Sequence, residues 1–329
     1  MPGDGIIQCM GLGKRYGSGG APALNNLDLE VQRNTVFGFL GPNGAGKTTT
    51  IRILAGLMTQ SAGEAYIDGH PVGIHEEHRR IIGVLRQNPS YYPWMSGREL
   101  LELVAALNGM HGTVARRRAD ELLELLGLLE DADRRLGQYS GGMVQRLGIA
   151  QALVNRPRVL LLDEPVSSLD PIGRRDVLKI IERLGAETTV FMSTHILADV
   201  ERVCDTVGVI NEGRMVTVET VAALRARHGV RRLELRFGGN RDVRRFTDRA
   251  AQRNWRVETE DAEGPVWVLP PERDEEHEDR DEQFRRDVLR VIVDDGLDLQ
   301  SLETSASLEE AFVRLIGADA SQELVREQT

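Results

Sequence analysis

Cysteine is scarce in this sequence of 329 residues, which contains only Cys9 and Cys204. The two lie far apart in the chain, and neither has further cysteines or histidines around it at the spacing of a metal site. The sequence therefore excludes a disulfide framework and a cysteine-ligated metal centre, and it suits a reducing compartment.

Long apolar runs are also missing. No segment approaches the roughly 18 consecutive apolar residues that a membrane helix needs. The N-terminal stretch MPGDGIIQCM lacks the basic and apolar regions of a signal peptide. If the protein serves a membrane, we expect a separate chain to span it.

Positive charge is in the minority, and lysine is almost absent. Lysine and arginine total 41 against 51 acidic residues, which gives a net charge of -10, and the lysines are Lys14, Lys47 and Lys179. Because nucleic-acid binding favours basic surfaces, this acidic balance excludes general nucleic-acid binding. In a chain that otherwise uses arginine, a lysine at a motif position indicates that a compact ammonium is needed there.

The order of apolar runs predicts two domains. Up to residue 227, short β-rich runs such as 35–41 and 159–165 alternate with helical segments, as in an α/β protein, and a Leu-rich helical subdomain occupies about 90–155. Residues 228–329 follow the order β-α-β-β-α-β, which predicts a small α+β domain of the ferredoxin-like type. A further helix is expected in SLEEAFVRLIGA, and a solvated loop or helix start in ERDEEHEDRDE.

The segment GPNGAGKT fits the phosphate-loop pattern G-x-x-x-x-G-K-[ST] between a predicted strand and a predicted helix. Glycines let successive N–H groups point at phosphate oxygens, Lys47 brings positive charge to the outer phosphates, and the Thr48 hydroxyl can ligate Mg2+. The predicted nucleotide-binding residues of this segment are Gly41, Pro42, Asn43, Gly44, Ala45, Gly46, Lys47, Thr48 and Thr49.

The run VLLLDEP ends in two acids at the end of a predicted buried strand. Asp163 is expected to hold Mg2+, and Glu164 to polarise a water for attack on a γ-phosphate. Both acids fall at the edge where open α/β sheets bind their ligands.

A second pair of glycines opens a predicted helix at Ser140-Gly141-Gly142. Adjacent glycines are a poor helix start unless something approaches the backbone closely, and a helix N-terminus favours anions. Since the chain already has a phosphate loop, this pattern predicts a second phosphate site whose ligand is not evident from the segment itself.

Together these motifs resemble the nucleotide-binding subunit of an ATP-binding-cassette (ABC) transporter over about the first 225 residues. The similarity is greatest to the drug exporters typified by daunorubicin and doxorubicin efflux ATPases. Within the resemblance, Gly41–Thr48 is the Walker A loop, Asp163-Glu164 the Walker B pair and Ser140-Gly141-Gly142 the signature. The further motifs that it identifies are Tyr16 in KRYG as the aromatic that stacks on adenine, Gln87 in LRQNP as the Q-loop glutamine, Ser167-Ser168-Leu169-Asp170 as the D-loop and His195 in STH as the switch histidine.

The resemblance implies a head-to-tail homodimer in which each ATP lies between the Walker A loop of one subunit and the signature helix of the other. Ser140, Gly141 and Gly142 would then contact the partner's ATP, and the D-loop with Asp170 would complete the interface. One departure is YSGGM in place of the commonest LSGGQ, with Tyr139 and Met143 as substitutes. The serine and glycines that face phosphate are kept.

The resemblance also assigns roles at the first phosphate site. Glu164, His195, Lys47 and Gln87 are the expected catalytic residues, with Mg2+ held by Thr48, Gln87 and Asp163. Lys47 and His195 would steady the γ-phosphate while Glu164 activates the attacking water.

The loop after Gln87 is rich in aromatic residues in a chain that has only 5% of them. Tyr91, Tyr92 and Trp94 either form a docking surface for a membrane permease, since aromatics favour interfaces, or pack against the helical subdomain. The resemblance to ABC transporters implies that this loop lies beside the coupling helix of the permease, which favours docking. Two further tryptophans, Trp255 and Trp267, fall on the strands of one predicted hairpin and are expected in the core of the second domain.

The sequence therefore predicts an ATPase subunit that powers export of a drug or other hydrophobic compound through a separate permease, at the cytoplasmic face of a bacterial membrane. An importer subunit is one alternative, and the ferredoxin-like tail opposes it. A soluble ABC ATPase acting on ribosomes or DNA is another, and the acidic charge and single cassette oppose that. The second domain is expected to hold the dimer together or to regulate it.

Overall fold

The structure, a computed structural model, describes residues 5–17, 20–73, 77–167, 169–228, 230–259, 264–269, 278–307 and 312. The chain divides into two compact units, Met1–Val221 and Ala222–Thr329. Within the described residues, no helix combines the length and apolar character that crossing a membrane requires.

The first unit is mixed α/β. Its strands are β1 (Ile7–Lys14), β2 (Leu24–Val31), β3 (Val36–Leu40), β4 (Ala62–Ile67), β5 (His70–Pro71), β6 (Ile82–Leu85), β7 (Val159–Asp163), β8 (Thr189–Thr194), β9 (Thr206–Asn211) and β10 (Arg214–Thr220). Its helices are α1 (Lys47–Leu54), α2 (Glu77–Arg80), α3 (Gly97–Leu107), α4 (Thr113–Leu125), α5 (Gly141–Leu153), α6 (Pro171–Gly185) and α7 (Leu197–Val203), with a 3-10 turn at Leu136–Gln138. The helix α8 (Val221–His228) crosses the division between the units.

A sheet of six described strands forms the centre of this unit, in the order β10-β9-β3-β8-β7-β6. The strands from β9 to β6 run parallel, and β10 is antiparallel to β9. β3 and β7 are buried along their whole length, as their apolar sequences predict. Because the strands are parallel, the segments after β3, β6, β7 and β8 leave the sheet at one edge.

A second, antiparallel sheet has the order β2-β1-β4-β5. Aromatic packing joins the strands of the central sheet, where the rings of Phe37 and Phe191 stack with centroids 5.4 Å apart. Two tight hairpins are present: Asp68 (φ 51°) turns β4 into β5, and Glu212 (φ 46°) turns β9 into β10, each followed by a glycine with positive φ. Asp-Gly and Glu-Gly dipeptides thus supply the positive-φ residues of both turns.

Helices α3, α4 and α5, together with α6, share one apolar cluster with a face of the central sheet that includes Leu85, Leu160 and Met192. Helix α3 begins with a capping box, because Ser96 Oγ accepts a hydrogen bond from the Glu99 N–H at 3.2 Å while the Glu99 carboxylate accepts one from the Ser96 N–H at 2.8 Å. Helix α5 is apolar on nearly all sides, with Leu147 and Ile149 fully buried. A buried helix of this kind holds its N-terminus in a fixed place.

The second unit has its own sheet and core. Its elements are β11 (Val230–Phe237), α9 (Asn240–Gln252), β12 (Arg256–Thr259), β13 (Val266–Leu269), α10 (Glu278–Asp294) and β14 (Leu299–Ser307). The strands pair antiparallel in the order β12-β13-β11-β14, the arrangement of a ferredoxin-like fold. The predicted fold class is thus confirmed for the described residues.

The two tryptophans of this unit differ in position. Trp255 packs against the core, with its ring 5.4 Å from that of Phe284 and 6.5 Å from that of the fully buried Phe246. Trp267 is half-buried on the face of β13 opposite to the buried Val266 and Val268, since strand residues alternate between faces. The prediction of a core position was therefore right for Trp255 and wrong for Trp267.

Two segments of the sequence interpretation fall largely outside the described residues. Of SLEEAFVRLIGA, only Ser307 and Phe312 are described. Of the charged insert at 272–282, residues 278–282 are described. They form the start of α10, in agreement with the expectation of a helix start.

Candidate functional site

The phosphate loop lies between β3 and α1, and two of its glycines are required by the fold. Gly46 has a φ of 111°, and a Cβ there would come within 2.7 Å of the Ala23 carbonyl oxygen. A Cβ on Gly41 would come within 2.4 Å of the Ile210 carbonyl oxygen. No larger residue fits at either position without moving backbone, so these glycines set the path of the loop.

Lys47 begins α1 and lies inside its own loop. Its ammonium donates to the carbonyl oxygens of Gly41 at 2.7 Å and Pro42 at 2.9 Å, and the residue is buried. Burial lowers the pKa of Lys47, while the nearby charges of Glu164 and Asp163 act to raise it. The loop thus curls around a buried cation. Within it, Ala45 is buried and its N–H donates to the Pro42 carbonyl at 3.3 Å, whereas Asn43 is exposed.

Asp163 at the end of β7 joins the phosphate loop to the neighbouring strand. Its Oδ1 accepts hydrogen bonds from Thr48 Oγ1 at 3.2 Å and from Ser193 Oγ at 2.8 Å, and burial raises the pKa of the carboxyl group. Ser193 Oγ also accepts a bond from the Glu164 N–H at 2.9 Å. One hydroxyl therefore ties both Asp163 and Glu164 to β8.

Ser193 was missed in the sequence interpretation. It directly faces Asp163 in the parallel register of β7 and β8. A signal was available, because Ser193 is the first residue of the STH segment that contains His195. Finding it required knowing that β7 and β8 are neighbours.

Glu164 is the point on which two separate loops converge. Its Oε2 accepts a hydrogen bond from Gln87 Nε2 at 3.0 Å, and its Oε1 lies 3.2 Å from His195 Nδ1. Glu164 also has a φ of 48°, in the left-handed region that side chains other than glycine rarely adopt. Such backbone conformations are concentrated at functional sites, where the surrounding structure enforces them. Gln87, Glu164 and His195 were each predicted from the sequence, and the structure brings them together.

The signature segment lies at the start of α5, where Ser140 is the N-cap and its Oγ accepts from the Met143 N–H at 3.3 Å. A Cβ built on Gly141 would meet nothing within 4 Å, and one on Gly142 would meet Leu169 and Ser140 only at ordinary contact distance. Nothing within the described chain requires glycine at these two positions.

Tyr139 and Met143, the two residues that differ from the commonest signature sequence, both pack into the protein. Met143 is buried, and the Tyr139 hydroxyl donates to the Asp131 carbonyl at 2.8 Å. Of the D-loop, Asp170 is the N-cap of α6, with its Oδ1 accepting from the Gly173 N–H at 3.2 Å. Ser168 lies outside the described residues.

The predicted adenine-stacking residue, Tyr16, is 52% exposed. Its hydroxyl lies 3.2 Å from Thr49 Oγ1 and 3.2 Å from the sulfur of Met58, and Lys14 Nζ lies 5.6 Å from its ring centroid. The contact with Thr49 places this ring beside the first turn of α1, and its exposure leaves a face for stacking.

The three aromatic residues after Gln87 separate into two groups. Tyr91 packs against the α3–α5 cluster, and its burial raises the pKa of its hydroxyl. Tyr92 and Trp94 are 56% and 66% exposed, and their rings lie 4.9 Å apart. The packing alternative therefore describes Tyr91, whereas Tyr92 and Trp94 form an exposed aromatic pair.

The residues predicted to hold Mg2+ offer oxygen donors from a hydroxyl, a carboxylate and an amide. The described residues hold no group of three or more His, Cys, Asp or Glu side chains suited to a metal, so a cation here would use mixed oxygen donors. Thr48 Oγ1 and Asp163 Oδ1 lie 3.2 Å apart, and neighbouring oxygens around Mg2+ at about 2.1 Å from the ion lie about 3 Å apart. Gln87 uses its Nε2 toward Glu164, which leaves the amide oxygen as its ligating atom. The Thr48–Asp163 pair therefore fits Mg2+, and Gln87 stays a predicted third ligand.

Removing the Ser193 hydroxyl tests how far it organises the site. We expect Ser193→Ala to destabilise the protein by about 1–3 kcal/mol, because Asp163 and the Glu164 N–H lose a buried hydrogen-bond partner. We also expect nucleotide hydrolysis to fall, since Glu164 loses the contact that fixes its backbone. Denaturant unfolding and a hydrolysis assay measure the two effects. Ser61→Ala, at an exposed hydroxyl that accepts from the Arg15 N–H, is the matched control. Equal behaviour of the two variants would contradict this role of Ser193.

Comparison with known proteins gives the family. The family model for the ABC transporter matches residues 24–167. An uncharacterized ABC transporter ATP-binding protein of Bacillus subtilis, YxlF, is 44% identical over 193 residues, which cover 59% of this chain and 64% of that protein. The chain thus spans less than two thirds of the length of this relative.

Other relatives are covered more fully. Daunorubicin resistance ATP-binding protein DrrA3 of Streptomyces coeruleorubidus is 41% identical over 70% of this chain and 73% of its own length. Fluoroquinolones export ATP-binding protein MT2762 of Mycobacterium tuberculosis is 36% identical over 72% of this chain and 78% of its own length. Among solved structures, the dimeric post-hydrolysis state of the ATP-binding cassette MJ0796 with ADP and Pi is 27% identical with a TM-score of 0.61, covering 66% of this chain and 99% of that one. The chain therefore belongs to the ABC transporter family.

Proposed function

We propose that this protein hydrolyses ATP to power the export of a drug or other hydrophobic compound through a separate membrane permease. The observation that carries the proposal is the convergence of Gln87 and His195 on the Glu164 carboxylate, beside the Thr48–Asp163 pair. Two loops that could respond to a partner thus both contact the candidate catalytic base. That is the arrangement expected if hydrolysis is linked to movement elsewhere in an assembly.

The chemistry follows from the groups at the edge of the sheet. Glu164 accepts a proton from the attacking water, and His195 on its other oxygen orients the carboxylate and contacts the γ-phosphate. Lys47 exchanges its contacts with the loop carbonyls for the outer phosphates. When bound, Mg2+ neutralises charge that develops on the phosphate oxygens. Tyr16 stacks on the base of the nucleotide.

The second phosphate site then belongs to another copy of the chain. Gly141 and Gly142 meet open space, so the group that requires their backbone to be accessible comes from outside the chain. We propose a homodimer in which Ser140, Gly141 and Gly142 contact the partner's ATP and the α5 N-terminus adds its partial positive charge. The solved relative MJ0796 is a dimer, which supports this assembly.

The permease is proposed to dock at the exposed pair Tyr92 and Trp94, a few residues beyond Gln87. Exposed aromatic residues are enriched at protein interfaces, and Gln87 contacts Glu164, so docking and catalysis would be linked through one short segment. Export and drug-type cargo are proposed because the names of two relatives refer to fluoroquinolone export and daunorubicin resistance. On this proposal the chain acts at the cytoplasmic face of a bacterial membrane. That the second unit holds the dimer together or regulates it stays a prediction.

Co-purification tests the proposal. A tagged Glu164→Gln chain is expressed in its native host, membranes are solubilised with and without ATP, and bound proteins are identified by mass spectrometry. We expect a polytopic membrane protein whose retention depends on ATP, and we expect Trp94→Ala to reduce that retention. The matched control is Leu57→Ala, which truncates an apolar side chain with 62% exposure, similar to the 66% of Trp94. Recovery of ribosomes or DNA-repair factors, or of no membrane protein, would overturn the export proposal and leave the ATPase assignment intact.

A further inference from the structure

An ion pair with a buried carboxylate and a partly exposed guanidinium connects the helix after the D-loop to the helix after His195. Arg174 lies in the first turns of α6, and Asp199 lies in the first turn of α7. Both Nε and one terminal nitrogen of Arg174 lie 2.7 Å from Asp199 Oδ1. The Asp199 side chain is 1% exposed and that of Arg174 is 29% exposed.

Burying this carboxylate is unfavourable for the isolated group. Burial raises the pKa of Asp199, and the hydrogen bonds and charge of Arg174 act to lower it, as does the charge of His195. His195 is therefore within electrostatic reach of the pair. Because an apolar pair of similar size would stabilise the fold as well or better, stability alone is a weak reason for an ion pair at this position.

Each end of the pair is attached directly to a functional loop. On α6, the Arg174 N–H donates to the carbonyl of Asp170 at 2.9 Å, so Arg174 is one turn from the last residue of the D-loop. On α7, the Asp199 N–H donates to the Ile196 carbonyl at 3.3 Å, and the Ile196 N–H donates to Thr194 Oγ1 at 3.0 Å. His195 lies between Thr194 and Ile196, inside this hydrogen-bonded turn.

We infer that Arg174 and Asp199 are positioning residues that transmit the state of the D-loop to His195. When the D-loop moves, α6 moves with Asp170, and the ion pair carries α7 and the turn that holds His195. The contact between His195 and Glu164 then depends on whether the D-loop is engaged. This inference rests on the proposed function, because it gives the dimer a route by which one subunit's interface acts on hydrolysis.

Steady-state kinetics of the full chain test the inference. We expect Asp199→Asn to lower kcat about tenfold, an effect typical of residues that carry coupling between sites, with the Kd for ATP changed little and cooperativity toward ATP lost. Arg174→Lys keeps the positive charge beside Asp199. We expect this variant to retain much of the kcat that Asp199→Asn loses. The matched control is Asp68→Asn, which removes a buried carboxylate paired with Arg33 and Arg158 in the same unit, away from Glu164. Equal losses of kcat and of melting temperature in both Asn variants would overturn the inference.

A second measurement does not depend on hydrolysis. Hydrogen exchange of the backbone amides of residues 195–200 is compared in the unchanged chain, in Asp170→Ala, in Asp199→Asn and in the double variant. We expect loss of the Asp170 cap to accelerate exchange in this segment relative to the unchanged chain, and to add no further acceleration to Asp199→Asn. If Asp170→Ala leaves exchange in this segment unchanged, the inference fails even where ATP is hydrolysed. If ATP is not hydrolysed but the exchange result is obtained, the proposed function fails and the mechanical link stands.

Discussion

Replacing Glu164 by glutamine is expected to lower the rate of ATP hydrolysis by at least about a hundredfold, the usual contribution of a general base. Glutamine has nearly the same shape, so its amide can keep a hydrogen-bonded contact with Gln87 or His195 and the fold is preserved. ATP binding should persist or tighten, since one negative charge near the phosphates is removed. The expected result is a stable ATP-bound dimer, measured by phosphate release and by size-exclusion chromatography with ATP.

The matched control for this variant is Glu182→Gln, at an exposed position on α6 away from the site. It makes the same chemical change and should hydrolyse ATP at the rate of the unchanged protein. If Glu164→Gln hydrolyses ATP as fast as Glu182→Gln, Glu164 is not the base. In that case the contacts of Gln87 and His195 with Glu164 have only a structural role.

A single methyl group on Gly142 is expected to separate folding from activity. The added Cβ meets its nearest atoms at 3.9 Å and 4.0 Å, so the fold accommodates it, and alanine favours a helix over glycine by up to about 1 kcal/mol. Hydrolysis should nevertheless fall by about a hundredfold, the loss typical when a donor to a developing anion is displaced. In the Glu164→Gln background, the ATP-dependent dimer should no longer form.

Thermal unfolding, hydrolysis and size-exclusion chromatography measure these effects together. Gly239→Ala is the control, because a Cβ there meets nothing within 4 Å and is likewise accommodated, and because the residue belongs to the second unit. Unchanged hydrolysis and dimerisation in Gly142→Ala would show that no phosphate approaches the start of α5. The explanation of the glycine pair would then have to be sought elsewhere.

Much of the site could be predicted because its residues are encoded in short, contiguous patterns. Gly41–Thr48 depends on local backbone geometry, and Asp163-Glu164 follows an apolar run whose burial is evident from its letters. Parallel strands put the ends of such runs at one edge, so proximity of these segments follows once the α/β class is known. Glu164 could therefore be named from its place after an apolar strand, whereas Gln87 and His195 were named from the resemblance to ABC transporters.

What could not be predicted depends on contacts between segments far apart in the chain. The double role of Ser193 requires that β7 and β8 are neighbours in register, and the burial of Tyr91 depends on where α5 packs. The pairing of Arg174 with Asp199 depends on how α6 and α7 meet. The face occupied by Trp267 depends on which side of β13 the helices cover. None of these contacts can be predicted from the residues of one short segment alone.

The register of β7 against β8 makes the number of residues in β7 more important than their identity. Val159 pairs with Thr189, and the two strands continue without a bulge, so Asp163 pairs with Ser193. Exchange of one aliphatic residue for another within β7 costs packing energy but keeps this alignment. Deletion of one residue would turn the side chains of the shortened strand to opposite faces and move the acids away from Ser193 and Thr48. An insertion or deletion in Val159–Asp163 should therefore be far more damaging than any conservative substitution there.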